Sequence, residues 1–243
     1  MNNSLIVIPI RMASKRFPGK PLVDIYGKSM IYRVWERAIK SKVGDVLVAC
    51  CDKETMDYLK KYKIEYVNTK KNLKSGTDRV YYAIKKAGKL KNYKYIINLQ
   101  GDLPNIDPGV IRKLANHIKK NNSKIVTLAT KIIDNKKIKD KNVVKVALAK
   151  NKGNYKAIYF SRAAIPYNSL DYYEHIGIYA YDVSILEKFI ACKQGTLEKL
   201  ESLEQLRALE NNINIDVSIV NRAPYSIDTP RDLKNYLNSI RDN

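Results

Sequence analysis

The stretch LIVIPIRMASKRFPGK, residues 5–20, indicates an α/β fold. Its first part, Leu5–Ile10, is a short and continuously apolar run, which predicts a strand covered on both faces. Small and turn-forming residues then separate four cations, which are Arg11, Lys15, Arg16 and Lys20. Loops at the carboxyl ends of parallel strands bind ligands in α/β proteins, and small residues leave backbone N–H groups free for an anion. The stretch therefore predicts a strand followed by a polyphosphate-binding loop, with a solvated basic loop as the alternative.

Strand and helix patterns alternate through residues 5–130, as in a parallel sheet with covering helices. The predicted helices lie at Met30–Lys40, at Lys53–Tyr62 with Asp52 as N-cap, and from Pro108 onward. The predicted strands lie at Asp45–Cys51, Ile64–Val67 and Tyr95–Leu99. The middle changes character, because strands follow one another there without helices. We expect one α/β domain over residues 1–243, with a β-rich insertion at about residues 131–200 that binds sugar or makes a dimer contact.

That insertion and the segment after it carry their own predicted elements. They are strands at Ile125–Thr130, Val143–Ala149, Tyr155–Phe160 and Ile176–Tyr181, a lysine-rich connection at Ile133–Asn142, helices at Val183–Ala191 and Ser202–Glu210, a strand at Ile213–Val220 and a closing helix at Arg231–Ile240.

The net charge of +21 is the unusual feature of the composition. Nucleic acid, a membrane surface or an anionic small substrate would each explain it. The lysines that carry it are dispersed along the chain, so local clusters are more informative than the total, and nucleic-acid binding stays as an alternative. Three cysteines give neither a disulfide framework nor a metal spacing. No signal peptide and no apolar stretch of membrane-spanning length is visible, so we expect a cytoplasmic protein without membrane insertion.

Two aspartates are candidates for holding a metal ion. Asp102 follows the strand Tyr95–Leu99, at the same sheet edge as the basic loop if the strands are parallel. A carboxylate beside a polyphosphate supplies the hard oxygen ligand that Mg²⁺ prefers. Asp228 is the best second carboxylate, although its local sequence alone favours an N-cap of the closing helix.

Other polar residues allow two interpretations each. The loop that begins at Ser75 and opens a helix could bind an anion or a base edge, or be a capping-box variant. A lone histidine such as His175 is more often structural than catalytic. Glu204 and Gln205 lie on the polar face of an amphipathic helix, and such a face is usually solvated.

Taken in order, seven blocks resemble the 3-deoxy-manno-octulosonate (Kdo) cytidylyltransferases, also called CMP-Kdo synthetases. These blocks are RMASKRFPGKPL, SGTDR, LQGDLP, YFSRAAIP, HIGIYAY, LEQLRALE and IDTPRDL, and they run from about Leu5 to Leu237. The resemblance implies a Rossmann-like (GT-A-like) nucleotidyltransferase fold with a mixed, mainly parallel sheet and flanking helices. It also implies a cytoplasmic homodimer that makes CMP-Kdo and pyrophosphate from CTP and Kdo, with Mg²⁺, for lipopolysaccharide biosynthesis.

The resemblance also implies a role for each matching position. The expected CTP phosphate ligands are Arg11, Ser14, Arg16 and Lys20. The expected contacts of the cytosine and its surroundings are Ser75 and Gln100, and the expected Mg²⁺ ligands are Asp102 and Asp228. Lys20, Arg11 and the two aspartates would form the catalytic group. The expected lining of the acidic-sugar pocket is Arg162, His175, Tyr179, Glu204 and Gln205.

The sequence departs from the family pattern beside one of these residues. Leu103 stands where the family usually has Glu, so we expect altered metal or nucleotide affinity rather than lost activity. The sugar itself stays open, because 8-amino Kdo or a sialic acid would differ from Kdo only in pocket contacts.

Overall fold

The computed structural model describes residues 3–151 and 153–241. They form two compact units, one from residues up to Arg112 together with those from Pro224 onward, and one from Lys113 to Ala223. None of the helices in these described ranges is long and apolar enough to cross a membrane.

The strands and helices that the sequence patterns predict occur in the predicted order, together with short elements that the patterns did not predict. The strands are β1 (Ser4–Pro9), β2 (Asp24–Ile25), β3 (Lys28–Ser29), β4 (Asp45–Cys50), β5 (Tyr66–Asn68), β6 (Tyr95–Asn98), β7 (Ile125–Lys131), β8 (Lys145–Asn151), β9 (Asn154–Ser161), β10 (Tyr173–Asp182) and β11 (Ile215–Val220). The α-helices are α1 (Met30–Lys40), α2 (Lys53–Lys61), α3 (Gly76–Lys86), α4 (Pro108–Asn121), α5 (Asn135–Lys139), α6 (Val183–Ala191), α7 (Thr196–Glu201), α8 (Leu206–Glu210) and α9 (Pro230–Arg241). A short 3-10 helix at Lys20–Leu22 ends the basic loop.

In the first unit, strands β5, β4, β1 and β6 lie side by side in that order and run parallel. The side chains of Leu5 and Ile8 in β1 have no exposed surface, which confirms the prediction of a strand covered on both faces. Because β1 and β6 are parallel neighbours, Pro9 and Asn98 end their strands at the same edge of the sheet. The basic loop and the turn that carries Asp102 therefore leave the sheet together.

The second unit is built mainly from antiparallel strands. β7 lies between β10, which is antiparallel to it, and β11, which is parallel. β9 pairs antiparallel with both β11 and β8. The segment expected to be β-rich, at about residues 131–200, contains β8, β9 and β10. Its role in sugar binding or dimerisation stays a prediction.

Two elements of the second unit differ from the sequence prediction. The helix predicted at Ser202–Glu210 is confirmed only from Leu206 onward, because α7 ends at Glu201 and a non-helical connection, residues 202–205, precedes α8. The backbone of Ser202 has a left-handed φ of 53°, and its N–H donates to the carbonyl oxygen of Glu198. The connection predicted at Ile133–Asn142 contains the short helix α5, which Asp134 caps.

Candidate active site

A cavity of about 270 Å³ opens in the first unit, at the edge where β1 and β6 end. The eight residues predicted to bind nucleotide or metal all line it: Arg11, Ser14, Arg16, Lys20, Ser75, Gln100, Asp102 and Asp228. They come from segments that lie far apart in the sequence. The fold thus places in one cavity eight residues that the sequence patterns predicted separately.

The basic loop is a closed turn organised around Met12. The carbonyl oxygen of Met12 accepts hydrogen bonds from the N–H groups of Ser14 (2.8 Å) and Gly19 (3.1 Å). Gly19 has a φ of +76°, a conformation that glycine adopts without strain. The N–H of Met12 donates to Oδ2 of Asp52 at 2.8 Å. Asp52 is the N-cap residue of α2, as predicted, but its side chain makes no capping hydrogen bond, because its carboxylate holds the loop instead.

The turn after β6 brings Asp102 close to the end of β1. A Cβ atom on Gly101 would lie 2.4 Å from Cγ2 of Ile10, so only glycine allows this approach without a shift. The N–H of Ile227 donates to the carbonyl oxygen of Asp102 at 3.0 Å. That hydrogen bond places Asp228 beside Asp102.

The start of α9 leaves the carboxylate of Asp228 available. Oγ1 of Thr229 accepts from the N–H of Asp232 at 3.2 Å, and Oδ2 of Asp232 accepts from the N–H of Thr229 at 2.8 Å. This reciprocal pair is a capping-box arrangement. The interpretation of Asp228 as the N-cap is therefore wrong, since Thr229 is the residue that caps α9.

One ammonium group contacts both carboxylates. Nζ of Lys20 lies 2.9 Å from Oδ2 of Asp102 and 3.2 Å from Oδ1 of Asp228, and Nη2 of Arg16 lies 3.0 Å from the same Asp228 oxygen. Burial raises the pKa of the Asp102 carboxyl; the charge of Lys20 opposes this effect and that of Asp228 adds to it. Two negative oxygens that share one cation are a suitable donor set for a divalent ion. Among the described residues no group of three or more His, Cys, Asp or Glu side chains could hold a metal ion.

The residues expected near the base are held by local hydrogen bonds. Oγ of Ser75 accepts from the N–H of Asp78 at 3.0 Å, so this serine caps α3 as the alternative interpretation proposed. Nε2 of Gln100 donates to Oδ1 of Asn98 at 3.2 Å. Leu103 is buried in the core, with 5% of its surface exposed, so the second carboxylate of the cavity is that of Asp228.

A second cluster, in the second unit, joins His175 and Tyr179. Four steps along a regular strand would separate their Cα atoms by about 13 Å. Strand β10 is irregular here, because Ile176 pairs with Leu128 while Tyr179 already pairs with the next residue, Thr127. Nε2 of His175 consequently lies 3.0 Å from Oη of Tyr179 and 3.1 Å from Oγ1 of Thr127.

His175 is a neutral hydrogen-bonding group rather than an acid or base at neutral pH. Burial lowers its pKa from 6.5 to about 3, although part of the residue still reaches solvent. The Phe160 ring and the imidazole pack in a T-shaped arrangement, with 4.9 Å between ring centroids. Burial also raises the pKa of the Tyr179 phenol well above its usual value, so the phenol keeps its proton.

Arg162 is held by backbone oxygens. Its Nε donates to the carbonyl oxygen of Glu201 at 2.9 Å, and its Nη1 to that of Lys141 at 3.0 Å. Nζ of Lys145, a side chain with no exposed surface, donates to the carbonyl oxygen of Arg162 at 2.6 Å and to two further carbonyl oxygens. These contacts give Arg162 a clear structural role, and its role toward a charged ligand stays a prediction.

Gln205 and Glu204 lie between the short helices α7 and α8. Gln205 is 8% exposed, and its Nε2 has no hydrogen-bond partner among the described residues, so the expectation of a merely solvated face is wrong for it. Oε1 of Glu204 lies 3.8 Å from Nη2 of Arg207. Arg207 itself forms a buried two-point ion pair with Glu198, with N–O distances of 2.8 and 2.6 Å.

Sequence reasoning missed Thr127 and Lys145. Both are polar side chains within otherwise apolar strand segments, Ile125–Ala129 and Val143–Ala149. A polar residue within an apolar strand segment was the sequence signal that could have identified them. Neither position shows from the sequence which partner it would meet. The partners of Thr127 lie on another strand, β10, and Nζ of Lys145 donates to carbonyl oxygens of Asp140, Val143 and Arg162.

Known proteins resemble this chain in sequence. The Cytidylyltransferase family model matches residues 5–215. Relatives named 3-deoxy-manno-octulosonate cytidylyltransferase include those of Paramagnetospirillum magneticum, 42% identical over 95% of this chain and 94% of its own, and Sinorhizobium medicae, 43% identical over 95% and 92%.

Solved structures give the same result. The structure of CMP:2-keto-3-deoxy-manno-octonic acid synthetase complexed with CTP is 33% identical, with a TM-score of 0.91 over 98% of both chains. A cytidylyltransferase from Leptospira borgpetersenii, 18% identical over 99% of this chain and 87% of its own, has a TM-score of 0.65 and shows the fold alone. The expected nucleotidyltransferase fold is confirmed, and the chain belongs to the 3-deoxy-manno-octulosonate cytidylyltransferase family.

Proposed function

We propose that this chain activates Kdo with CTP, giving CMP-Kdo and pyrophosphate for lipopolysaccharide biosynthesis. The observation that carries the proposal is the cavity in the first unit, which gathers cations and two carboxylates at the edge of a parallel sheet. Cations suit the charge of a triphosphate, and carboxylates suit a metal that accompanies it. Family membership favours this enzyme over the nucleic-acid alternative.

In the proposed reaction the anomeric 2-hydroxyl oxygen of Kdo attacks the α-phosphorus of CTP. The bond from the α-phosphorus to the bridging oxygen breaks, pyrophosphate leaves with that electron pair, and the hydroxyl proton passes to water. Negative charge grows on the phosphate and leaving oxygens, so fixed cations stabilise the transition state more than the ground state. We assign this work to Arg11, Arg16 and Lys20, with Ser14 as a further phosphate contact. Ser75 and Gln100 would line the cytosine end.

Asp102 and Asp228 are proposed to hold Mg²⁺. Their fit is supported by the two oxygen atoms that already share one positive group. When bound, Mg²⁺ would neutralise charge on phosphate oxygens and lower the pKa of a hydroxyl that it contacts. The carboxylates orient such an ion, and Thr229 and Asp232 fix the backbone beside Asp228.

The second cluster is proposed to hold the acidic sugar. His175 and Tyr179 offer neutral ring and hydroxyl groups for sugar hydroxyls, since burial keeps both uncharged. Gln205 supports the proposal most directly, because its buried Nε2 lacks a partner among the described residues and a polar ligand would supply one. Glu204 and Arg162 complete the proposed set.

A homodimer in the cytoplasm is part of the proposal. The second unit exposes large apolar side chains, including Ile133, Tyr167 and Leu170, which would be covered in a dimer. Sedimentation equilibrium at micromolar concentration tests this, and a monomer at every concentration would contradict it.

Pyrophosphate release from purified protein with CTP and Mg²⁺ tests the function. Kdo, 8-amino Kdo, N-acetylneuraminate and no sugar are compared under the same conditions. Release with Kdo alone is expected. Release only with another sugar would keep the chemistry and replace the substrate, and no release with any sugar from folded protein would contradict the proposal.

A further inference from the structure

Lys20 sits where a metal ion would have to sit. Its Nζ contacts one oxygen of Asp102 at 2.9 Å and one of Asp228 at 3.2 Å. The Lys20 side chain is 15% exposed, against 22% for Asp102 and 37% for Asp228. These ion pairs are thus partly shielded from water, where charges interact more strongly than at the surface.

The two carboxylates need a cation between them. Two negative groups that share a site repel each other, and the repulsion is relieved by a positive charge in contact with both. Arg16 contributes from one side, but its side chain is 61% exposed and touches Asp228 alone, so solvent screens its effect. Lys20 is therefore the main neutralising group for the pair.

A divalent ion and the Lys20 ammonium compete for the same oxygen atoms. Mg²⁺ binds carboxylate oxygens at about 2.0–2.1 Å, and an ammonium group still in contact with those oxygens would lie next to it with like charge. The ammonium has three donors on a flexible four-carbon stem, so it can leave when other acceptors are offered. Phosphate oxygens entering the cavity would be such acceptors.

We propose that Lys20 acts as a built-in counter-ion that excludes divalent metal from Asp102 and Asp228 until the phosphates of the nucleotide draw it away. The inference rests on the proposed function for its choice of nucleotide and metal. It predicts that metal and nucleotide enter together, and that the free protein binds divalent ions weakly although it carries the two carboxylates.

Binding of Mn²⁺ in the absence of nucleotide tests this, with free Mn²⁺ followed by its electron paramagnetic resonance signal. Lys20→Met keeps an unbranched side chain that is one atom shorter and removes its charge. We expect its dissociation constant for Mn²⁺ to be lower than that of the wild type by about tenfold or more, because a close positive charge is removed from the ligand oxygens. The matched control is Lys74→Met, which removes a positive charge from the same cavity lining and should change the constant by less than about twofold, because exposed charges are well screened.

A double variant locates the gained site. Lys20→Met combined with Asp102→Asn should return to wild-type binding, and a gain that persists in it would overturn the inference. Lys20→Gln serves as a second neutral variant if Lys20→Met does not fold. Equal Mn²⁺ binding by the wild type and the neutral variant would also overturn the inference.

These measurements involve neither CTP nor sugar, so they are separable from the proposed function. CMP-Kdo synthesis by the wild type without the predicted gain in Mn²⁺ binding would refute only the role of Lys20. A gain in Mn²⁺ binding by a protein that releases no pyrophosphate would refute only the function.

Discussion

Acidification should destabilise this protein through His175. Burial lowers the pKa of its ring from 6.5 to about 3, so between these values the unfolded chain binds a proton that the native chain does not. The free energy of unfolding then falls as the pH drops below about 6.5, by up to about 1.4 kcal/mol per pH unit. The neighbours Thr127, Tyr179 and Phe160 carry no charge that would offset this.

The magnitude can be set for one convenient pH interval. Of the interval from pH 7 to pH 5, about 1.5 pH units lie below the unfolded pKa of 6.5. The free energy of unfolding therefore falls by at most about 2 kcal/mol over this interval. Because part of the residue reaches solvent, we expect about 1–2 kcal/mol. At pH 5 the native ring is still neutral, so the expected loss does not depend on the exact value of the native pKa near 3.

Urea unfolding at pH 7 and pH 5 measures the effect on the wild type and on His175→Gln. Glutamine cannot take up the proton, so the variant should lose about 1–2 kcal/mol less than the wild type over this interval. His117→Gln is the matched control for the other histidine of the chain, whose pKa burial also lowers while the charge of Asp216 opposes the shift. Equal losses in the wild type and His175→Gln would refute the reasoning, because the ring would then be protonated in the native state.

Two further variants test the contact of Asp52 with the basic loop and the buried ion pair of Arg207. Asp52→Ala removes the acceptor of the Met12 N–H. It should raise the KM for CTP by about tenfold with little change in stability, since misplaced binding groups cost affinity. An unchanged KM for CTP in steady-state kinetics would contradict this. Arg207→Met leaves the buried Glu198 carboxylate unpaired and should lower the free energy of unfolding by about 3–5 kcal/mol; a loss below about 1 kcal/mol in urea unfolding would show that the pair is not important.

Elements with a strong local pattern were predictable from the sequence. The apolar run of β1, the helix Met30–Lys40 and the start of α4 at Pro108 agree with the structure because hydrophobic period and proline preference act within a few residues. The helix predicted at Ser202–Glu210 was given too early a start, because the left-handed Ser202 ends α7 and α8 begins only at Leu206. Serine carries no signal for the left-handed conformation.

The candidate site was predictable only as a set of residue types. Local sequence favoured Asp228 as an N-cap, and the capping box formed by Thr229 and Asp232 became visible only in three dimensions. Likewise, Asp52 is a natural cap by position, yet its carboxylate holds the N–H of Met12, 40 residues away in the chain. Where a side chain has two possible partners, tertiary contacts determine which partner it binds, and a local sequence pattern does not contain those contacts.

The central claim is that the carboxylates and cations of the first unit transfer a cytidylyl group to Kdo. ³¹P NMR of a mixture of CTP, Mg²⁺ and Kdo measures this directly, with the wild type and Asp228→Asn compared at saturating substrates. The wild type should convert CTP to a phosphodiester and pyrophosphate in equal amounts, while Asp228→Asn should show no turnover. Unchanged CTP with folded wild-type protein, or a near-normal kcat for Asp228→Asn, would contradict the claim.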